Sequence, residues 1–135
     1  MTNRYQDWRE QEIRDLGKAR LDCQHEYWEW TGFTAQQSAK KVLKGLAIWL
    51  GLEVWRHSLT DLIKVLRKFL EVPEEILECA QTLDIVYIPS QYPNGFTSGK
   101  PADYFNKKNA VEAIGAADDI IVKLMKFVNI FHFKK

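Results

Sequence analysis

The chain has little of what would point to a metal, a membrane or a cross-linked scaffold. Its 135 residues include only two cysteines, Cys23 and Cys79, far apart and in no C-x-x-C pair. That excludes a zinc knuckle or disulfide framework and leaves reduced thiols of a cytosolic protein as the expectation. The longest uncharged apolar run, residues 45–52, is far too short to cross a bilayer. Residues 1–11 are charged and lack the apolar centre of a signal peptide, so a cytoplasmic protein is expected. Neither sign of charge dominates: 19 basic and 18 acidic residues give a net charge of +1. Without an overall field to gather nucleic acid or anionic lipid, any anion site must be local. The E-x-x-H spacing of di-iron bundles, the G-x-x-x-x-G-K-[ST] phosphate loop and the G-x-S-x-G elbow are all missing, so no metal and no cofactor are expected. No segment alternates apolar and polar residues in the manner of a strand.

What is present is material for a helical core. Hydrophobic residues make up 46% of the chain and aromatic residues 13%, with five tryptophans, enough for one packed domain over residues 1–135 with a frayed tail at 129–135. Tyr5, Trp8, Leu16, Ala19, Cys23 and Tyr27 recur at helical spacing and predict a first helix over 4–28, with Gly17 marking a place where a neighbour could come close. Trp30, Thr31 and Gly32 read as the break. A second helix is expected over 33–50, ended by Gly51, with an apolar stripe broad enough to serve a second copy of the chain. Ser58, with Asp61 three residues on, predicts the start of a third helix whose buried side runs through Leu59, Leu62, Ile63, Leu66, Phe69 and Leu70. Pro73, Glu74 and Glu75 predict a fourth start, carried inward by Ile76, Leu77, Ala80, Leu83 and Ile88 until Pro89. A long loop over 89–103 follows. Asn106 can then cap a last helix through Val111, Ile114, Ala117, Ile121, Leu124 and Val128. The expected fold is all-α: an up-and-down four-helix bundle with one additional short helix and a long loop before the C-terminal helix.

Three blocks carry more than architecture. Phe33-Thr34-Ala35-Gln36-Gln37-Ser38-Ala39-Lys40-Lys41-Val42-Leu43-Lys44, then His57-Ser58-Leu59-Thr60-Asp61-Leu62, then Gln91-Tyr92-Pro93 follow in order the pattern F-x-A-Q-Q-A-A-E-K-A-L-K, H-S-x-x-D-L and R-Y-P of the HEPN family of small helical proteins, which the chain resembles over nearly its whole length. Lys40 stands where the family pattern has a glutamate, and Gln91 where it has an arginine. The resemblance implies a homodimer that binds a nucleotide or another anion, or that partners a small nucleotidyltransferase in a toxin–antitoxin pair. It nominates Lys41 and Lys44 as phosphate contacts, with His57, Gln91 and Tyr92 completing a ligand site where the long loop meets the third helix. An amide at 91 hydrogen-bonds without the charge and fork of a guanidinium, so weak anion binding is expected. RNA-cleaving relatives use an arginine and a histidine four to six residues apart, the cation holding phosphate while the imidazole moves a proton. Arg20 and His25 have that spacing, but in the first helix rather than in the C-terminal half. A metal-independent ribonuclease using Arg20 and His25, or His57, is the alternative to a binding module. A dimeric bundle that binds an unrelated protein is the third reading.

Overall fold

The computed structural model of the chain describes residues 4–53, 58–87 and 96–133, with side chains through Val128. The described residues form α1 (Tyr5–Gln24), α2 (Trp28–Trp49), α3 (Leu59–Leu66), α4 (Glu74–Tyr87), a 3-10 turn at Pro101–Asp103 and α5 (Lys107–Phe133), and include no strand. The helices α1, α2, α4 and α5 are the long members of the bundle, and α3 is the short additional helix.

The central helix is α2, which touches every other helix. Its small residues allow this. Ala35, Ala39, Ala47 and Gly45 are buried among Val42, Leu43 and Leu46. A Cβ on Gly45 would stand 3.1 Å from Trp8 Cβ, and one on Gly32 would stand 3.3 Å from Val86 Cγ2. At these two glycines α1 and α4 pack too tightly against α2 to leave easy room for a larger residue. The broad apolar stripe of α2 is occupied within the chain, so its breadth does not by itself call for a second copy.

The first break lies earlier than the sequence suggests. Glu26, at φ 65°, ends α1 in a left-handed turn in which the Glu26 amide donates to Cys23 O and the Tyr27 amide to Asp22 O. From Tyr27 the chain re-enters a helix at once, and Trp30, Thr31 and Gly32 lie inside α2. Thr31 and Thr34 are accommodated there because their hydroxyls donate to the Tyr27 and Trp30 carbonyls, at 3.1 and 2.8 Å. Gly51, at φ 77°, closes α2 as expected, with Gly51 N bonded to Ile48 O and Leu52 N to Ala47 O.

Several expected inward residues face out. Tyr27 lies beyond the end of α1 and is exposed, and so are Phe69 and Val111. Phe69 does so because α3 stops at Leu66 and the chain turns away through residues 67–69. Gly17 has nothing within 4 Å, so no neighbour approaches it. Ile88 lies outside the described residues. Ser58 Oγ accepts from the Asp61 amide at 3.1 Å, as expected. Asn106 and Asn109 cap each other's amides at the start of α5. That helix runs to Phe133, and no glycine or proline follows Gly115 in the sequence. No described helix is long and apolar enough to cross a membrane.

Candidate functional site

The lysine-rich block falls in the middle of α2, and its three ammonium groups have different surroundings. Lys41 turns toward α1 and forms an ion pair with Asp15, whose other oxygen accepts from Gln11 Nε2 at 2.9 Å. One turn further along α1, Lys18 pairs with the buried Asp22, which also accepts from Thr34 Oγ1 at 3.3 Å. On this flank each of these two cations has a carboxylate.

On the other flank, Lys40 lies over the ring of Tyr87, its Nζ 5.4 Å from the centroid. At that range the ring face offers a partial negative charge but no full counter-ion. Lys44, one turn on from Lys40, has no carboxylate partner among the described residues. Burial, followed by the charges of Lys40 and Lys41, pulls its pKa below the usual lysine value. A cation destabilised in this way gains from any anion that replaces its lost water. The Tyr87 ring belongs to an aromatic row, 5.7 Å from Phe33, which in turn lies 5.8 Å from Trp30.

Asp84 fixes the geometry of this flank. It sits in the last turn of α4, where the negative end of the helix dipole disfavours a carboxylate. The start of α3 compensates: Leu59 N donates to Asp84 Oδ1 at 3.1 Å, and Thr60 N and Oγ1 donate to Oδ2 at 2.8 and 2.7 Å. One carboxylate therefore joins the positive end of α3 to the C-terminal end of α4. His57 precedes Ser58 directly in the chain, and Gln91 and Tyr92 follow Tyr87 by four and five residues. All three lie outside the described residues, and the described segments on either side, the start of α3 and the end of α4, are joined by Asp84.

Sequence reasoning overlooked Asp84 and the contact of Lys40 with Tyr87. The available signal was an acid in the closing turn of an apolar helix, which needs a partner to offset the dipole. The two glutamines of the block are paired with each other, Gln37 Nε2 donating to the buried Gln36 Oε1 at 2.9 Å. Arg20 and His25 both lie at the C-terminal end of α1. Arg20 Nη2 stands 3.6 Å from Asp118 Oδ1 on α5, while His25 is exposed at the end of α1. Among the described residues no cluster of three or more His, Cys, Asp or Glu is arranged to hold a metal ion.

The family model for the HEPN domain matches residues 5–127. The crystal structure of TT1696 from Thermus thermophilus is similar at 35% identity and a TM-score of 0.89, over 93% of this chain and 98% of that one. ST0689, an archaeal HEPN homologue, is similar at 35% identity and a TM-score of 0.79, over 94% and 99% of the two chains. A HEPN domain protein of Thermotoga maritima shares 25% identity at a TM-score of 0.76, over 91% and 98%. Among curated proteins nothing matches.

Proposed function

The chain belongs to the HEPN domain family, and on that premise we propose that it acts as a homodimeric binding module for a nucleotide or a related anion rather than as an enzyme. One observation carries the reading: of three lysines in one block, Lys41 is neutralised by Asp15 while Lys40 and Lys44 have no carboxylate partner among the described residues. Lys40 and Lys44 would take the phosphates, and an aromatic ring beside them suits a base. His57, Gln91 and Tyr92 would complete the site from the adjoining segments. A small nucleotidyltransferase, whose substrate carries the same phosphates, is the macromolecular partner that fits this chemistry, in a toxin–antitoxin arrangement.

With no guanidinium at 91, ATP should bind with a dissociation constant of roughly 10 μM to 1 mM. Gln91→Arg should tighten it by about 1.5–3 kcal/mol. Calorimetric titration of both proteins with ATP is the test, and silence from both at millimolar nucleotide would refute the nucleotide reading. The Arg20 and His25 spacing lies in α1 and not in the C-terminal half of the chain, so cleavage of single-stranded RNA should be absent or unchanged in His25→Ala.

For the homodimer, α1 and α5 offer the surface instead of α2. Ile13 and Leu21 on α1, and Val111 and Val122 on α5, are each about half exposed. Gly17 and Gly115 lie between them in sequence with nothing within 4 Å. A glycine inside a helix costs about 1 kcal/mol relative to alanine, a cost that a second chain packing against it would offset. Sedimentation should show a dimer that Leu21→Arg dissociates. A 15.8 kDa monomer at micromolar concentration in the unaltered protein would contradict this reading.

A further inference from the structure

A cavity of about 420 Å³ opens between α1 and α2, lined by Trp30, Phe33 and Gln37 together with the cations Lys18 and Lys41. Neither cation is free to take an anion. Lys18 is paired with Asp22 and Lys41 with Asp15, and Asp15 also accepts from Gln11 Nε2. The Thr34 hydroxyl, on the same wall, is given to the Trp30 carbonyl. Charge is thus balanced within the walls, so a charged group gains little by entering, whereas an uncharged planar one gains apolar contact. Trp30 is about half exposed, and its ring stands edge-on to Phe33, at 78° and 5.8 Å between centroids.

The amide of Gln37 is the polar group left uncommitted there. Its Nε2 donates to Oε1 of the buried Gln36 at 2.9 Å, and no further hydrogen bond of this amide occurs among the described residues. A carboxamide has two N–H donors and one carbonyl acceptor. The bond to Gln36 therefore orients Gln37 and leaves one donor beside one acceptor. The cavity also adjoins the unpaired lysines. Phe33 lies 5.7 Å from the Tyr87 ring, over which Lys40 stands. At a rise of about 1.5 Å per residue, Lys40 and Lys44 follow Gln37 by roughly 5 to 10 Å along α2, about the reach from a base to the phosphates of one nucleotide.

We infer that this cavity is the base subsite for adenine, stacked against Trp30 and Phe33 and read by Gln37. Adenine offers an amino donor next to a ring-nitrogen acceptor, which matches the donor and acceptor left on the amide, while the same edge of guanine carries two acceptors. The inference rests on the reading of Lys40 and Lys44 as phosphate contacts and names the base that accompanies them.

Calorimetric titration with ATP, GTP and inorganic tripolyphosphate separates the two claims, because the last ligand has phosphates without a base. ATP should bind about five- to tenfold more tightly than either of the others. Trp30→Ala and Gln37→Leu should each weaken ATP by about fivefold and leave tripolyphosphate binding unchanged, which also shows that the variants are folded. Tripolyphosphate as tight as ATP, or ATP affinity unmoved in both variants, would overturn the base subsite and leave the lysines as an anion site. GTP as tight as ATP would overturn the assignment of adenine. ATP binding without tripolyphosphate binding would support the subsite and contradict the lysine reading, and silence from all three ligands would overturn both.

Discussion

The two flanks of α2 use the same residue type in opposite ways. Toward α1, Lys41 meets Asp15 and so fastens α2 to α1, while Lys18 and Asp22 pair within α1. Toward α4, Lys40 lies over the Tyr87 ring, and Lys44, one turn on along α2, has no acid among the described residues; Asp84 of α4 is engaged by the start of α3. A run of lysines is therefore not one patch. The helical period of about 3.6 residues turns Lys41 away from Lys40, and the carboxylates available on each side decide which charge is paired within the chain and which is not.

The largest expected effect comes from the anchor. Asp84→Ala removes three hydrogen bonds to a carboxylate and should lower stability by about 2–3 kcal/mol in urea unfolding. A loss below half of that would mean that packing, not Asp84, holds α3 to the α4 flank. Lys41→Ala leaves Asp15 without its ammonium and should cost about 1 kcal/mol. Lys44→Ala should cost nothing by the same measurement, and equal losses would erase the difference between the flanks. Glu26→Gly, at the junction that sets the α1 flank, should stabilise by about 0.5–1 kcal/mol, the relief of left-handed strain less the added freedom of the unfolded chain.

The smallest effect lies in alkaline titration. Lys44 has a folded pKa below the ordinary 10.5. In the window between the two values the unfolded chain holds more protons, so stability should rise with pH there. Lys44→Met should flatten that rise when unfolding is followed across the window, whereas Lys41→Met, which removes only the least of its three causes, should reduce it in part.

The helices were legible because their apolar periods and caps are local signals: Ser58, Pro73, Asn106 and Gly51 mark ends that a short window of sequence contains. The junction of α1 and α2 was not legible. Glu26 adopts a conformation that glycine normally signals, and Gly32 is read as a breaker until Val86 is known to press against it. Phe69 illustrates the same limit, since its period continues that of α3 after the helix has ended. At the candidate site, the block 33–44 falls on a single helix, α2. The division between Lys41 and Lys40 depends on Asp15 and Tyr87, which are 26 and 47 residues away in the chain, and no local window contains that pairing.

The central claim is that the α4 flank of α2, and not the α1 flank, receives the anion. Calorimetric titration of ATP into Lys44→Ala and Lys41→Ala, side by side with the unaltered protein, tests it most directly. The account predicts that Lys44→Ala weakens binding by about five- to tenfold, equivalent to about 1–1.4 kcal/mol, while Lys41→Ala changes it by less than about twofold. Equal weakening in both variants, or a greater loss in Lys41→Ala, would contradict it.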